Sequence, residues 1–318
     1  LCMCMFITGC FKGKNSDVDK FTKKIEKVKN YYLTGELEIV NNEDVYKYSV
    51  NVSYKNKDYY KVDLINKTND HEQIILRNDE GVYVLTPSLN KSFKFQSEWP
   101  YNNSQSYLLQ SISQDILNDK NKKVEKKGKN VIITTDVNYS NNKKLTKQKI
   151  YLFDAMVKKV EVYDSSDNLK IKMNFKEIDL KSKFDKDYFK VEKNIKSSET
   201  IESSKELEDI VYPMYMPSNT YLASEDKISL ENGERAILTF LGEKSFTLIE
   251  ETTTVSKDID TINMYGDPEL LKDTIGSLSD SGITWISDGI SFYLSSDTMS
   301  EDELLDVVKS ISVMPISK

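Results

Sequence analysis

Cys10 is the residue whose surroundings most clearly suggest a chemical modification. The segment before it is apolar, sulfur-bearing or small and ends in Ile7, Thr8 and Gly9, whereas the chain turns polar directly after it. A thiol at such a boundary can be alkylated to a thioether, and the small side chains of Thr8 and Gly9 leave room for a peptidase to cut before the cysteine. The pattern therefore predicts a modified thiol and a cleaved N-terminal segment.

The run Ile7-Thr8-Gly9-Cys10 resembles the lipobox of bacterial lipoproteins, with Ile7 at the position that is usually leucine. The resemblance implies a diacylglyceryl lipid on Cys10, which anchors the protein at the extracytoplasmic face of the cell membrane. Secretory signals normally begin with a basic segment. No Lys or Arg precedes Cys10, so either the true start lies upstream or Leu1 is a non-standard start. A truncated signal peptide or a buried apolar N-terminus is the alternative.

Support for catalysis is weak. His71 is the only histidine and follows a polar turn, where we expect an exposed loop residue. No Ser-His-Asp or Cys-His set can be built without His71, and Cys10 is already used by its modification. Neither a metal-ligand cluster nor a phosphate-binding loop is present, so we expect no metal and no cofactor. Scattered carboxylates leave an enzyme of unknown type as a further alternative. They include Asp136, Asp154, Asp164 and Asp167.

The composition is that of a rather polar globular protein. The net charge is -7 with 30% charged residues, which argues against a nucleic-acid partner. Arg77 and Arg235 are the only arginines, so bidentate recognition of phosphate is not expected to be central. Once residues 1–9 are removed, Cys10 is the one remaining cysteine and no internal disulfide can form. No stretch beyond residue 9 approaches the roughly 18 apolar residues of a membrane span.

An amphipathic helix is predicted after the N-terminal tether, with Asp17 as its N-cap. The apolar positions that recur at helical spacing are Val18, Phe21, Ile25, Val28 and Tyr32. The lysines of the opposite face are Lys20, Lys23, Lys24 and Lys27. We expect these lysines to be solvated, with contact to anionic lipid headgroups near the anchor as the alternative.

From Thr34 the hydrophobic period changes to two, which predicts an antiparallel meander with one buried and one wet face. Strands are expected at 37–39, 46–54, 60–64, 74–77, 82–86, 92–96, 131–137, 148–153, 157–163 and 169–176. Trp99-Pro100 interrupts the pattern, and Ser104 is expected to cap a helix that runs to about Leu117.

The stretch 193–208 has few apolar side chains and is predicted to be an interdomain linker. A smaller unit follows, with strands expected at 235–240, 246–251, 282–286 and 290–295. Its last helix has a capping box in Ser300 and Glu303. The predicted organisation is a signal peptide at 1–9, a lipidated tether at 10–17, a first domain at 18–192, the linker at 193–208 and a second domain at 209–318.

Several short motifs carry a resemblance to a known family. They are Val82-Tyr83-Val84-Leu85-Thr86-Pro87, Phe93-Lys94-Phe95, Trp99-Pro100 and Tyr107-Leu108-Leu109-Gln110-Ser111-Ile112. With the order of elements, they are similar to the LolA-like superfamily of lipoprotein carriers, and within it to the branch of Gram-positive spore formers that includes the YdcC sporulation and GerS germination types. Tyr215-Met216-Pro217, Trp285, Gly289 and Tyr293-Leu294 resemble a domain of unknown function that accompanies such proteins.

The resemblance implies an α+β fold, in which an incomplete antiparallel β-barrel wraps helices and is followed by a small α+β domain. In that superfamily the barrel leaves an apolar cavity. An aromatic cluster is the strongest site candidate, because its members either fill the core or line the cavity mouth, where an acyl chain or a partner could dock. Its members are Phe93, Phe95, Trp99, Tyr101 and Tyr107. Trp285 has the same two interpretations.

An anchored protein cannot shuttle freely, so we expect binding and not transport. The expected ligand is a lipid or lipoprotein chain or a cell-envelope protein, and the resemblance places the role in sporulation or germination. The alternative is a non-catalytic regulator or scaffold of a cortex-processing peptidoglycan hydrolase.

Overall fold

The computed structural model describes residues 16–41, 44–56, 58–139, 142–195, 207, 209–253 and 258–311. The predictions on Ile7, Thr8, Gly9 and Cys10, and on most of 193–208, lie outside these residues. Within them the fold is mainly β, with nineteen strands in two sheets and four α-helices. Neither sheet closes into a barrel. The predicted α+β class is therefore correct only in part, because helices are few.

The first sheet has twelve strands. They are β1 (Asn30–Asn41), β2 (Asp44–Lys55), β3 (Tyr59–Asn66), β4 (Glu72–Asn78), β5 (Gly81–Thr86), β6 (Lys91–Phe95), β7 (Lys123–Lys127), β8 (Asn130–Asp136), β9 (Leu145–Phe153), β10 (Met156–Asp164), β11 (Leu169–Asp179) and β15 (Asp260–Met264). Their order across the sheet is β15-β6-β5-β4-β3-β2-β1-β11-β10-β9-β8-β7. All neighbours are antiparallel except β15 and β6, which are parallel.

The second sheet has seven strands. They are β12 (Thr220–Leu230), β13 (Gly233–Gly242), β14 (Phe246–Thr252), β16 (Asp267–Leu270), β17 (Ile275–Ser279), β18 (Gly282–Ser287) and β19 (Ile290–Ser295), in the order β12-β13-β14-β19-β18-β17-β16. The helices are α1 (Ser16–Lys27), α2 (Leu109–Asn118), α3 (Val191–Asn194) and α4 (Glu301–Ser310).

The inner face of the first sheet, which faces α1 and α2, forms the main core. Period-two alternation places its apolar side chains on that face. Those that are fully buried include Tyr48, Val50, Val52, Tyr60, Val62 and Leu64. Phe21 of α1 and Ile112 of α2 belong to the same cluster, and burying each such side chain contributes about 1.5–3 kcal/mol.

The outer face of β4 and β5 is also covered. Ile74, Leu76 and Leu85 form a second cluster with Phe189 and Ile195, which belong to the segment that carries α3. Burial on both faces explains why these two strands read as nearly continuous apolar runs in the sequence.

Three helix predictions need correction. The first helix begins at Ser16, so Asp17 lies in its first turn and is not its N-cap. The same helix ends at Lys27, and Tyr32 lies in β1, where burial alternates between neighbouring residues and Tyr31 and Leu33 are buried. Ser104 does not cap α2, which begins at Leu109. The Ser104 hydroxyl donates to Asp115 Oδ1 at 3.0 Å and accepts the Asn138 N–H at 2.9 Å. These two bonds use the hydroxyl, which accepts no N–H from the first turn of α2.

The inner face of the second sheet is covered by α4. Leu304, Leu305 and Val308 of α4 are buried against Leu238 and Phe292 of the sheet. The predicted capping box is confirmed, because Ser300 Oγ accepts the Glu303 N–H and the Glu303 side chain accepts the Ser300 N–H.

The C-terminal part of the chain is joined to the first sheet by a strand and by several hydrogen bonds. Asp260–Met264 pairs with Lys91–Phe95, so the terminal strand of the first sheet comes from beyond residue 209. Tyr48 Oη donates to the Lys272 carbonyl at 2.6 Å, and Gln73 Oε1 accepts the Ile275 N–H at 2.7 Å. The domain limits 18–192 and 209–318 stay predictions.

Candidate binding surface

The predicted aromatic cluster divides into two groups. Trp99 is only 2% exposed, and Tyr107 is also buried. Trp99 packs edge-on against Tyr60 with ring centroids 5.9 Å apart. Tyr101 is 53% exposed; it packs on Tyr60 at 6.3 Å and donates to Asp58 Oδ1 at 2.5 Å. The burial of Trp99 favours its core interpretation over a rim position.

Phe93 and Phe95 form the second group, at the junction of the two sheets. With Met264, Ile275 and Trp285 they line a cavity of about 20 Å³. A cavity of this size has room for about one water molecule, since about 10–15 Å³ is enough for one, whereas ligand pockets usually measure about 300–1,000 Å³. An acyl chain therefore does not fit here without movement of Trp285 and the neighbouring strands.

A second cleft at the same junction has a volume of about 90 Å³ and a mixed polar lining. Its lining includes Tyr46, Lys272, Asp273 and Ser287. The Lys272 ammonium donates to the Ile311 carbonyl; burial lowers its pKa, against the opposing effect of Asp273. Ser287 Oγ donates to Asp273 Oδ2 at 2.9 Å. These groups bind one another and hold α4 and the sheets together.

His71 lies in the loop before β4, as predicted, but it is half-buried and not exposed. Burial lowers the pKa of its imidazole, and the carboxylate of Asp273 partly opposes this shift. The prediction of an exposed histidine was wrong because residues far along the chain cover this loop.

The most exposed regular element is β12. Every residue from Tyr221 to Leu230 is exposed, and only Thr220 is buried. It is the terminal strand of the second sheet, and among the described strands it pairs with β13 alone. Such an edge presents a row of unpaired N–H and C=O groups, which is a template for another strand.

The outer face of the second sheet, opposite α4, carries apolar side chains that continue from β12. The register aligns Ile237, Ile249 and Tyr293 across three neighbouring strands. We call the following set the apolar face: Tyr221, Ile228, Ile237, Leu241, Ile249 and Tyr293. Tyr221 is its most exposed member at 59%. An exposed apolar patch beside a polar rim is typical of an interaction site.

The outer face of the first sheet has a different character. The register aligns Lys149, Glu161, Lys172, Glu38 and Lys47 in one row across five strands. Opposite charges on directly paired positions stabilise the sheet, so this row is charged and its members pair with one another. The apolar face of the second sheet is therefore the better candidate for a docking surface.

A buried carboxyl group holds the segment that enters the second sheet. Glu250 of β14 is fully buried on the inner face. It accepts the Val211 N–H, and burial raises its pKa to about 7. Tyr212 Oη donates to Glu225 Oε2 of β12 at 2.5 Å, which ties the same segment to the edge strand.

Sequence reasoning missed β12 and with it the apolar face. The strand is exposed on both sides, so its sequence has no apolar period to detect. The pair Asn219-Thr220 before it and the turn Glu231-Asn232-Gly233 after it were the available signals.

Within the described ranges, no group of three or more His, Cys, Asp or Glu residues is placed to hold a metal ion. None of the helices that the structure describes is long and apolar enough to cross a bilayer.

Comparison with known proteins gives one relative over nearly the whole chain. No family model matches. Sporulation protein YdcC of Bacillus subtilis (strain 168) is 35% identical over 314 residues, which covers 96% of this chain and 93% of that protein. The YdcC part of the predicted resemblance is thereby confirmed.

Two solved structures show weaker likeness. One is a chain of the complex between the CwlD amidase from Clostridioides difficile and the GerS lipoprotein, with a TM-score of 0.32, 19% identity and coverage of 54% of this chain and 96% of that one. The other is the LolA superfamily protein NE2245 from Nitrosomonas europaea, with a TM-score of 0.31, 12% identity and coverage of 55% and 96%.

Proposed function

The chain belongs to the YdcC family of sporulation proteins, and we propose from this membership that it is a non-catalytic envelope lipoprotein that acts in sporulation or germination. The proposed anchor is a diacylglyceryl lipid on Cys10, recognised through Ile7, Thr8 and Gly9. It holds the protein at the extracytoplasmic face of the membrane. There the protein binds another cell-envelope protein.

The observation that favours a protein as the partner is the exposed edge of β12, which lies beside the apolar face. An extended segment of a partner adds to such an edge through main-chain hydrogen bonds, and side-chain contacts on the adjoining face give specificity. Tyr221 and Ile228 are exposed members of the apolar face on β12 itself, so one partner segment would meet both the edge and the face.

The edge also contains features that hinder indiscriminate pairing. The pairing of β12 with β13 has a register shift between Leu222 and Ser224, and charged residues occupy its middle at Glu225, Asp226 and Lys227. Bulges and charges are the means by which natural sheets protect their edges. A partner strand would therefore have to match the bulge and the charges.

A lipid or lipoprotein chain as ligand has less support. The inner face of the first sheet is occupied by α1, α2 and the edge of the second sheet, and the cavities at that junction measure about 20 and 90 Å³. Binding of an acyl chain would require Trp285 and the segment around Lys272 to move away from the first sheet.

The test is capture of the partner from sporulating cells by the full-length protein and by a Tyr221→Lys, Ile228→Lys double variant. We expect the wild type to retain a stoichiometric envelope protein and the double variant to lose it, because two ammonium groups would be placed in an apolar contact. Mass spectrometry of the captured protein then shows whether it is a peptidoglycan hydrolase.

The matched control is Leu117→Lys with Phe153→Lys, which changes two exposed apolar residues on α2 and β9. Equal capture by the double variant and the control would contradict the proposal. Tightly bound acyl chains in wild-type protein with no protein partner would favour the lipid alternative.

A further inference from the structure

The hairpin formed by β7 and β8 lies against the first turn of α1. Lys126 Nζ is 2.5 Å from Asp17 Oδ2, and Lys20 Nζ is 3.7 Å from the other oxygen of the same carboxylate. Both lysines lower the pKa of Asp17. A contact between residues so distant in sequence brings the lysines of the hairpin to the end of the molecule where the chain leaves toward Cys10.

Exposed lysines line both elements, which meet at the ion pair of Asp17 with Lys126; we call these lysines together the basic end. They are Lys20, Lys23, Lys24, Lys27, Lys123, Lys126, Lys127 and Lys129. On α1 they occupy the side opposite the buried residues Val18, Phe21 and Ile25.

Carboxylates lie among these lysines but are fewer. They are Asp17, Asp19, Glu26, Glu125 and Asp154. Asp17 is already bound by Lys126 and Lys20, and Asp154 lies 3.5 Å from Lys129. The basic end thus has a net positive charge on a chain whose overall net charge is -7.

The segment between Cys10 and α1 is short, which limits how far the basic end can lie from the membrane. Five residues lie between Cys10 and Ser16, which makes six residue steps of at most about 3.3–3.6 Å each, so the first turn of α1 stays within about 20 Å of a lipid on Cys10. This step rests on the proposed anchor. Screening acts over about 8 Å at physiological ionic strength, so these lysines interact with the charged surface when the protein lies against the bilayer, which a tether of this length allows.

We propose that the basic end docks on anionic lipid headgroups, so that the protein lies against the bilayer in one orientation and does not swing freely on its anchor. A lipid chain with a basic patch forms a two-signal attachment, in which each basic residue near the surface adds to the affinity. Because no single lysine is buried, the contact selects negative charge and not a particular headgroup.

The test uses the full chain with Cys10→Ala, which has no lipid of its own, in co-sedimentation with vesicles. Binding is compared on vesicles of phosphatidylcholine alone and of phosphatidylcholine with phosphatidylglycerol. We expect binding to the phosphatidylglycerol vesicles only, with affinity that falls as salt is raised. Changing Lys20, Lys24, Lys27 and Lys127 to Gln should weaken that binding by about fivefold per lysine.

The matched control replaces Lys181, Lys183 and Lys186 by Gln, which are exposed lysines beyond β11. The proposal is overturned if this control loses as much binding per lysine as the basic-end variant, or if the protein binds both vesicle types equally. Labelling of the wild type and of Cys10→Ala with a fatty-acid analogue tests the anchor separately. Label that persists on Cys10→Ala removes the anchor but leaves the vesicle result standing.

Discussion

Both carboxylate oxygens of Glu250 lie 3.1 Å from the backbone nitrogen of Val211. Glu250 sits on the inner face of the second sheet, and Val211 belongs to the segment that leads into β12. Burial is the largest cause of its raised pKa of about 7, the Val211 N–H opposes the shift, and the carboxylate of Glu225 adds to it. A carboxyl group that keeps its proton to a higher pH than an ordinary glutamate therefore holds the segment that enters the second sheet.

This raised pKa predicts a specific pH dependence of stability. Between pH of about 4.5 and 7 an unfolded glutamate is ionised while Glu250 in the folded protein still holds its proton. Its contribution is therefore fully present below about pH 4.5 and is lost as pH rises to about 7, with a maximum of about 3 kcal/mol. Urea unfolding across this range should show a shallower loss for Glu250→Gln than for the wild type. Glu243→Gln, at an exposed glutamate directly after β13, is the control, and equal slopes for Glu250→Gln and the wild type would contradict the prediction.

Substitution of Trp99 separates a core residue from a rim residue. Since Trp99 is buried against Tyr60, Trp99→Ala should lower the free energy of unfolding by about 3–5 kcal/mol. Tyr101→Ala, at the exposed neighbour, should cost about 1 kcal/mol or less, mainly through loss of its hydrogen bond to Asp58. Chemical denaturation of both variants measures the difference. If Trp99→Ala lowers the free energy of unfolding by less than about 1 kcal/mol, Trp99 is a residue of the binding rim and not of the core.

Limited proteolysis tests the organisation of the chain. The stretch 193–208 should be cut first, because few apolar side chains there can hold the backbone. The two fragments should nevertheless elute together on size exclusion in native buffer, since β15 pairs with β6 and Tyr48 binds the Lys272 carbonyl. They should separate in denaturant. Cleavage inside 34–190 in preference to 193–208, or separation without denaturant, would contradict these limits.

Local signals predicted much of the fold correctly. The alternation from Thr34 onward identifies the strands that have one buried face, and the Ser300 and Glu303 pair identifies the start of α4, because each depends on neighbours in sequence. Tyr32 was placed on the first helix because a helical period and a period of two coincide there over a few residues. The end of α1 at Lys27 depends on which partner the following strand finds.

The candidate surface was less accessible to sequence reasoning. An aromatic residue such as Trp99 has the same pattern whether it fills a core or lines a mouth, and only the position of Tyr60 decides between them. Phe93 and Trp285 meet because two distant segments come together. The hydrophobic pattern of the sequence does not predict β12, because a strand that is exposed on both sides has no alternation of polar and apolar positions.

The parallel pairing of β15 with β6 also has a consequence for how the chain reaches its native state. Lys91 pairs with Asp260, which lies 169 positions further along the chain, so the edge of β6 stays unpaired until the residues of β15 have been synthesised. Distant pairings form slowly, and an open strand edge recruits other chains while it waits. Pairing with β15 covers the edge of β6, and a chain that stops short of residue 260 would leave that edge open.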